Sequence, residues 1–268
     1  MEEQNSLFGT LRASFLGGAL LVVLSGAAMA DDAGGSTKDA PAAPAPAPDH
    51  TLTVNGGLTT DYVFRGFSQS DEGPAVFAGA DLAYRWFYAG VWASSVDELT
   101  SDGNIEIDLY GGIKKSWNGV DLDVGVIYYY YPNNNFDVEL DYVEIKALAG
   151  AKVWREVAVT GAVYFSPDFY AETGATWTLE GIATMPLPFW GLSLSGTLGT
   201  IISNDNDSAF ADLYGDDQYV YWNVGLSKTF REHYTVDVRY WGTDVDDSDD
   251  FDNSLADNRV VGTVKFNY

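Results

Sequence analysis

From Leu52 onward, apolar and polar residues alternate with a period of two. Ile105, Ile107 and Leu109 interleave with Glu106, Asp108 and Tyr110; Val120, Leu122, Val124 and Val126 interleave with Asp121, Asp123 and Gly125. Val143, Ile145, Ala147 and Ala149 alternate with Glu144, Lys146 and Leu148, and Val260, Gly262, Val264 and Phe266 alternate with Arg259, Val261, Thr263 and Lys265. Each run has one apolar and one polar face, the pattern of a strand wet on one side. No helical stripe of useful length follows residue 50. Twelve strands are predicted, over 52–65, 74–85, 87–96, 104–116, 119–131, 140–153, 156–166, 173–185, 189–202, 217–229, 232–243 and 258–267.

The connections alternate in length. Short turns fall at Arg85-Trp86, Trp117-Asn118, Trp154-Arg155, Pro186-Leu187-Pro188 and Phe230-Arg231; longer polar loops cover 66–73, 97–103, 132–139, 167–172, 203–216 and 244–257. Tight turns at one end, long loops at the other and an even number of short amphipathic strands define an all-β, transmembrane, antiparallel up-and-down barrel. Lipid offers no hydrogen-bond partners, so the sheet must close on itself. A secreted β-sandwich shares the period of two but explains neither the loop asymmetry nor the aromatics that follow.

Aromatic side chains mark both rims. Trp86, Phe87, Trp117, Trp154, Phe189, Trp190, Phe230 and Tyr234 lie at the short turns, where amphipathic rings suit the headgroup level. Tyr128–Tyr131, Tyr164, Phe165, Tyr219, Tyr221 and Trp241 are expected to form the opposite girdle.

Charge follows the same axis. The chain has 268 residues and a formal charge of −25, from 39 acidic and 14 basic side chains. The six long loops carry twenty of the acids and no Lys or Arg, whereas Arg85, Lys114, Lys115, Lys152, Arg155, Lys228 and Arg231 gather near the short turns. So acidic a chain is no polyanion binder, and no nucleic acid is expected as a partner. The absence of Cys removes disulfides and thiolate metal sites, and His50 and His233 are the only imidazoles.

Ahead of the barrel, Leu16–Ala30 is an apolar run ending Ala28-Met29-Ala30, a secretory signal with a small-x-small cleavage site (residues 1–30). Residues 31–50, with the Ala/Pro repeat at Pro41–Pro48, read as an extended linker, and 51–268 as the barrel. A signal followed by a barrel places the mature chain in the bacterial outer membrane. Its surroundings there are outer-membrane lipid and lipopolysaccharide, and the amphipathic last strand ending at Tyr268 would engage the barrel-assembly machinery.

Three blocks in order, Asp61-Tyr62-Val63-Phe64-Arg65-Gly66 with Gln69 and Pro74-Ala75, then Tyr88–Ser94, then Glu106–Gly112, resemble the TorF family of porin-like proteins from proteobacteria. The resemblance is densest over Asp61–Gly112 and extends to Tyr268. It implies a Gram-negative outer-membrane barrel and no established substrate.

The polar strand faces must turn into the lumen. Register puts Asp61, Arg65, Asp81, Glu106, Asp108, Glu144, Lys146, Glu180, Asp237, Arg239 and Arg259 there as candidate pore-lining residues, with Asp121, Asp123 and Lys265 beside them. Two readings stand: a charged constriction that selects small solutes by sign and size, favouring cations or neutral polar molecules, and a plug of salt-bridged side chains. Asp61 and Arg65, four apart on one strand face, are expected either as eyelet charges or as an ion pair. In the second case the barrel is closed, and its acidic loops bind a divalent cation, lipopolysaccharide or an external partner.

Asp244, Asp246, Asp247, Asp249 and Asp250 are weak metal candidates. The loop begins like a calcium loop, but Asp249 stands where Gly is needed and Leu255 where a bidentate Glu belongs. No cofactor is implied. An enzyme is not expected either: His233 lies at the short-turn end, and Gly191–Ser195 lacks the glycine that a nucleophile elbow needs.

Overall fold

The computed structural model describes residues 50–97, 105–132, 138–204, 209–245 and 254–268. Twelve antiparallel strands close into one barrel: β1 (His50–Thr59), β4 (Ala75–Tyr84), β5 (Phe87–Ser95), β6 (Ile105–Trp117), β7 (Val120–Tyr130), β8 (Tyr142–Trp154), β9 (Val157–Ser166), β10 (Thr176–Pro186), β11 (Leu192–Ser203), β12 (Gln218–Phe230), β13 (Tyr234–Thr243) and β14 (Arg259–Asn267). Each pairs with its sequence neighbours, and β1 pairs with both β4 and β14 to close the ring. The β1–β14 ladder is the shortest: five residues of each strand pair, Asn55–Thr59 against Thr263–Asn267, against eight or more in the other ladders, with further backbone bonds at Val54–Tyr268 and Thr60–Gly262.

The barrel is inside out relative to a soluble protein. Leu52, Leu58, Val76, Leu109, Val124, Ile145, Leu198, Val238, Val260 and Val264 point outward and are exposed. An apolar wall of this extent is stable only against lipid. No helix among the described residues is long and apolar enough to cross a membrane; the strands do so.

The short turns form as their residues dictate. Trp117 pairs with Val120, so Asn118 and Gly119 make a two-residue turn with φ of 51° and 80°, the left-handed pair that a twisted hairpin requires. Trp86, Trp117, Trp154, Trp190 and Tyr268 are exposed at this rim, and Lys115 and Arg155 lie over the rings of Trp86 and Trp154 at 4.4 and 4.7 Å.

The opposite girdle differs from expectation. Tyr128 and Tyr130 face outward, but Tyr129, Tyr131, Tyr219 and Tyr221 are buried inside, and Tyr164 and Trp241 share the inward face. Alternation is the reason: a run of four tyrosines on one strand must send half of them each way. Trp177 and Tyr240 complete the outward set.

The largest departure is at the first outer loop. The first strand ends at Thr59, not at residue 65. Residues 61–70 are buried throughout and fold into the barrel as a hairpin, β2 (Val63–Phe64) against β3 (Phe67–Ser68). Helical structure also occurs, as a six-residue helix α1 (Ala209–Tyr214) and two 3-10 turns (Tyr170–Glu172 and Ser254–Ala256).

Candidate functional site

The inward hairpin turns at Arg65 and Gly66, with φ of 47° and 94°. Gly66 is required there twice over: its backbone is left-handed, and a Cβ would sit 2.2 Å from the Thr243 methyl. The turn carries Arg65 into the barrel centre, where its two terminal nitrogens donate to the two carboxylate oxygens of Glu144 on β8 at 2.7 and 3.0 Å. Both side chains are almost fully buried (3% and 1% exposed). The guanidinium is sandwiched between the rings of Phe64 and Tyr164. A bidentate, aromatic-packed pair of this kind suits arginine and not lysine.

The base of the hairpin is tied separately. Asp61 accepts from Ser68, Ser70 and Arg259 at 2.6, 3.1 and 2.9 Å, and Arg259 also reaches Glu72. The expected Asp61–Arg65 relation is therefore replaced. Neither residue lies on a barrel strand, and each takes a partner elsewhere, because the chain reverses between them.

Around the hairpin the outer half of the lumen is packed shut. Phe67 meets Tyr214 and Tyr219 edge-on at 5.4 and 5.3 Å. Helix α1 supplies Phe210, Leu213 and Tyr214, and the 3-10 turns supply Tyr170, Ala171, Leu255 and Ala256, all buried. Burial holds the phenols of Tyr170 and Tyr214 above the usual tyrosine range, so both stay neutral. Every barrel strand contributes at least one buried inward residue here, such as Thr59 on β1, Ser94 on β5, Ile201 on β11 and Val261 on β14.

Below the plug, tyrosines lie flat against the wall with their hydroxyls on carboxylates of other strands. Tyr110 crosses Gly90 to donate to Asp81 at 2.6 Å, Tyr88 crosses Gly112 and Gly125 to donate to Asp123 at 2.7 Å, and Tyr221 crosses Gly199 to donate to Glu180 at 2.6 Å. A Cβ on Gly90 would fall 2.4 Å from the Tyr110 ring, so the glycine is the seat for that ring. At the level of the plug itself, Tyr62 and Tyr131 both donate to Glu106 (2.8 and 2.7 Å), and Tyr129 donates to Glu144. Arg239 holds Asp237 at 3.0 Å and also reaches Asn223 and Ser195. Towards the short-turn end Lys114, Asp121, Ser193, Ser195 and Lys265 regain partial exposure.

The eleven predicted lumen residues thus all face the interior, but in separate groups. Arg65 and Glu144 meet beside Glu106 and Asp108; Asp61 joins Arg259; Asp237 joins Arg239; Asp81 and Glu180 each take a tyrosine; Lys146 is buried with its amine 5.5 Å from the Tyr88 ring centre. Sequence reasoning missed the tyrosines as partners of the acids. Their signal is the placement of Tyr on the acidic, not the apolar, phase of each strand. Of the metal candidates, Asp244 extends the β12–β13 ladder by accepting from the Val220 amide at 2.6 Å, and Asp246, Asp247, Asp249 and Asp250 lie outside the described residues. Among the described residues no three His, Cys, Asp or Glu side chains are placed to hold a metal jointly.

Residues 42–266 match the model of a family described as Gcw_chp, a bacterial protein of unknown function. The chain belongs to this family. Its description does not carry the TorF name suggested by the three sequence blocks. No curated protein matches. Solved structures with the same fold include the KdgM porin (TM-score 0.52, 10% identity, covering 81% of this chain and 98% of that one). A KdgM porin in complex with disordered oligogalacturonate and the NanC porin each give a TM-score of 0.51 at 9% identity, with the same coverage. At such identity the likeness is one of fold.

Proposed function

We propose that this chain is a channel of the bacterial outer membrane, of porin type, for passive diffusion of small polar solutes, and that the inward hairpin sets its path. The observation that carries this reading is the construction of the plug. It is a loop, attached to the wall by side-chain bonds at Arg65–Glu144 and Asp61–Arg259, inside a closed twelve-strand barrel whose own wall is charged. A ring of ~12 strands is too wide for wall side chains alone to fill, so the hairpin closes it together with α1 and the 3-10 turns that pack around it. The KdgM and NanC porin fold and the resemblance of Asp61–Gly112 to TorF proteins agree with it. In this reading residues 1–30 are a cleaved signal, residues 31–50 a linker, and the candidate lumen residues of the wall strands line the path once the plug, which carries Asp61 and Arg65, moves. The acidic outer loops favour cations or neutral molecules at the mouth, with lipid and lipopolysaccharide around the wall and the barrel-assembly machinery as the route in.

A second reading has its own support. The outer half is sealed by buried aromatic rings, as in a non-conducting barrel whose acidic loops hold a divalent cation, lipopolysaccharide or another external partner. Planar-bilayer conductance separates the two. The full barrel is expected to be closed or to open briefly, and a variant with 62–72 replaced by a short Gly/Ser linker is expected to give stable, cation-selective steps. A shortened barrel that inserts, shows heat-modifiable migration and passes no current would sink the channel reading.

A further inference from the structure

Among the described residues nine carboxylates face the barrel interior, and eight of them accept at least one hydrogen bond from a hydroxyl or guanidinium. Asp108 is the ninth. It is 2% exposed and makes no hydrogen bond or ion pair among the described residues, and its Oδ1 is fully enclosed. Its surroundings do not neutralise it. Glu106 and Glu144 are buried beside it, and Arg65, the guanidinium of this compartment, has both terminal nitrogens on Glu144, leaving its Nε alone without a partner. A buried anion without a partner is among the costliest things a fold can keep, so such a carboxyl either holds its proton or is supplied with a counter-charge.

A second orphan lies on the same rung. Asp108 is opposite Tyr129, which is opposite Tyr142. Tyr142, 3% exposed and stacked on Tyr129 at 4.2 Å, also has a hydroxyl without a partner. Its ring lies against Tyr129, whose own hydroxyl donates to Glu144 at 3.0 Å. A water molecule would satisfy the Tyr142 hydroxyl but would leave the charge.

We infer that Asp108, with the Tyr142 hydroxyl, forms a binding site for a single small monovalent cation of the sodium or potassium type beneath the plug. The choice of valence follows from the donors. Divalent ions gather several carboxylates at once, and no three acidic side chains are so placed among the described residues. One carboxylate and one neutral hydroxyl, with Glu106 and Glu144 held by donors of their own, suit a monovalent ion. Access comes from the short-turn side. Along the inward face of β6 burial relaxes step by step, from Glu106 and Asp108 through Tyr110 to the partly exposed Gly112 and Lys114. The site does not depend on whether the barrel conducts.

The test is thermal unfolding of the refolded full barrel at neutral pH and fixed ionic strength, exchanging N-methylglucamine for sodium or potassium. The unfolding midpoint is expected to rise with the inorganic cation as binding to the folded state requires, and to saturate. Asp108→Asn should abolish the rise. Tyr142→Phe, which keeps the packed ring, should shift the half-saturating concentration up by about tenfold, the worth of one hydrogen bond or ligand to a charged group. Equal midpoints in all cations would overturn the site. So would a midpoint that responds to acidification alone, which would assign the counter-charge to a proton, or an unchanged titration in Tyr142→Phe.

Discussion

The outer and inner halves of the lumen are built from the same strands and behave as two different materials. In the outer half Arg65 binds Glu144 and Arg259 binds Asp61, while Glu106 takes tyrosine hydroxyls and Asp108 makes no ion pair among the described residues. Aromatic rings fill the remaining space there, and the side chains are buried. In the inner half Asp81, Asp121, Asp123, Glu180 and Asp237 face Lys114, Lys146, Arg239 and Lys265 in nearly equal number, serines and threonines fill much of the rest of the wall, and solvent returns towards the short turns. The excess negative charge of the chain is thus carried by the outer loops and the plug, not by the inner wall. A barrel wall alone yields the second kind of interior. The first requires a loop that leaves the wall and brings its own core with it.

This contrast can be broken hardest at Glu144. Glu144→Ala leaves the Arg65 guanidinium buried without its partner, at a cost of about 3–5 kcal/mol. Hydrogen exchange should then show the 61–70 amides opening while the strand amides of the inner half stay protected. Joining it to Arg65→Met should restore much of the loss, since the uncompensated charge goes too. Equal exchange of hairpin and wall in the single variant would mean that the two halves are one cooperative unit.

Gly66→Ala is the next step down. A left-handed, crowded position should cost about 1–3 kcal/mol, again confined to the plug and read as faster proteolysis of the hairpin. Tyr110→Phe acts below the plug, removing one hydroxyl from Asp81 for about 1 kcal/mol and leaving hairpin exchange unchanged. The smallest effect belongs to Lys265→Ala. Its partly exposed amine makes no close ion pair among the described residues, so stability should move by no more than about 0.5 kcal/mol. The reversal potential of the hairpin-shortened barrel should nevertheless shift further towards cations.

The wall was legible because its determinants are local. Alternation, the Asn118-Gly119 turn and the rim tryptophans act within a strand or between adjacent strands, and each of the twelve predicted strands corresponds to one observed within a few residues, save the end of the first. The plug was not legible because its partners are remote in the chain. Arg65 meets Glu144 79 residues on, and Asp61 meets Arg259 198 residues on. Read locally, Tyr62-Val63-Phe64 continues the alternation of the first strand, and only Gly66 and the second apolar pair at Phe67 hint at a reversal. The inward tyrosines were hidden for a different reason. Tyrosine suits both a membrane rim and a buried hydrogen bond, so composition alone cannot assign it to a face.

The narrow join between the first and last strands has a mechanical meaning. The wall is a hoop, and circumferential tension from the surrounding bilayer is borne in series by all twelve ladders. The ladder that ties the fewest residues, Asn55–Thr59 against Thr263–Asn267, carries the greatest load per bond. Immediately beyond its outer end, Asp61 and Arg259 fasten the two strands a second time through their side chains. The root of the hairpin is therefore also a clasp on the hoop, and loosening it slackens the ring where it is thinnest.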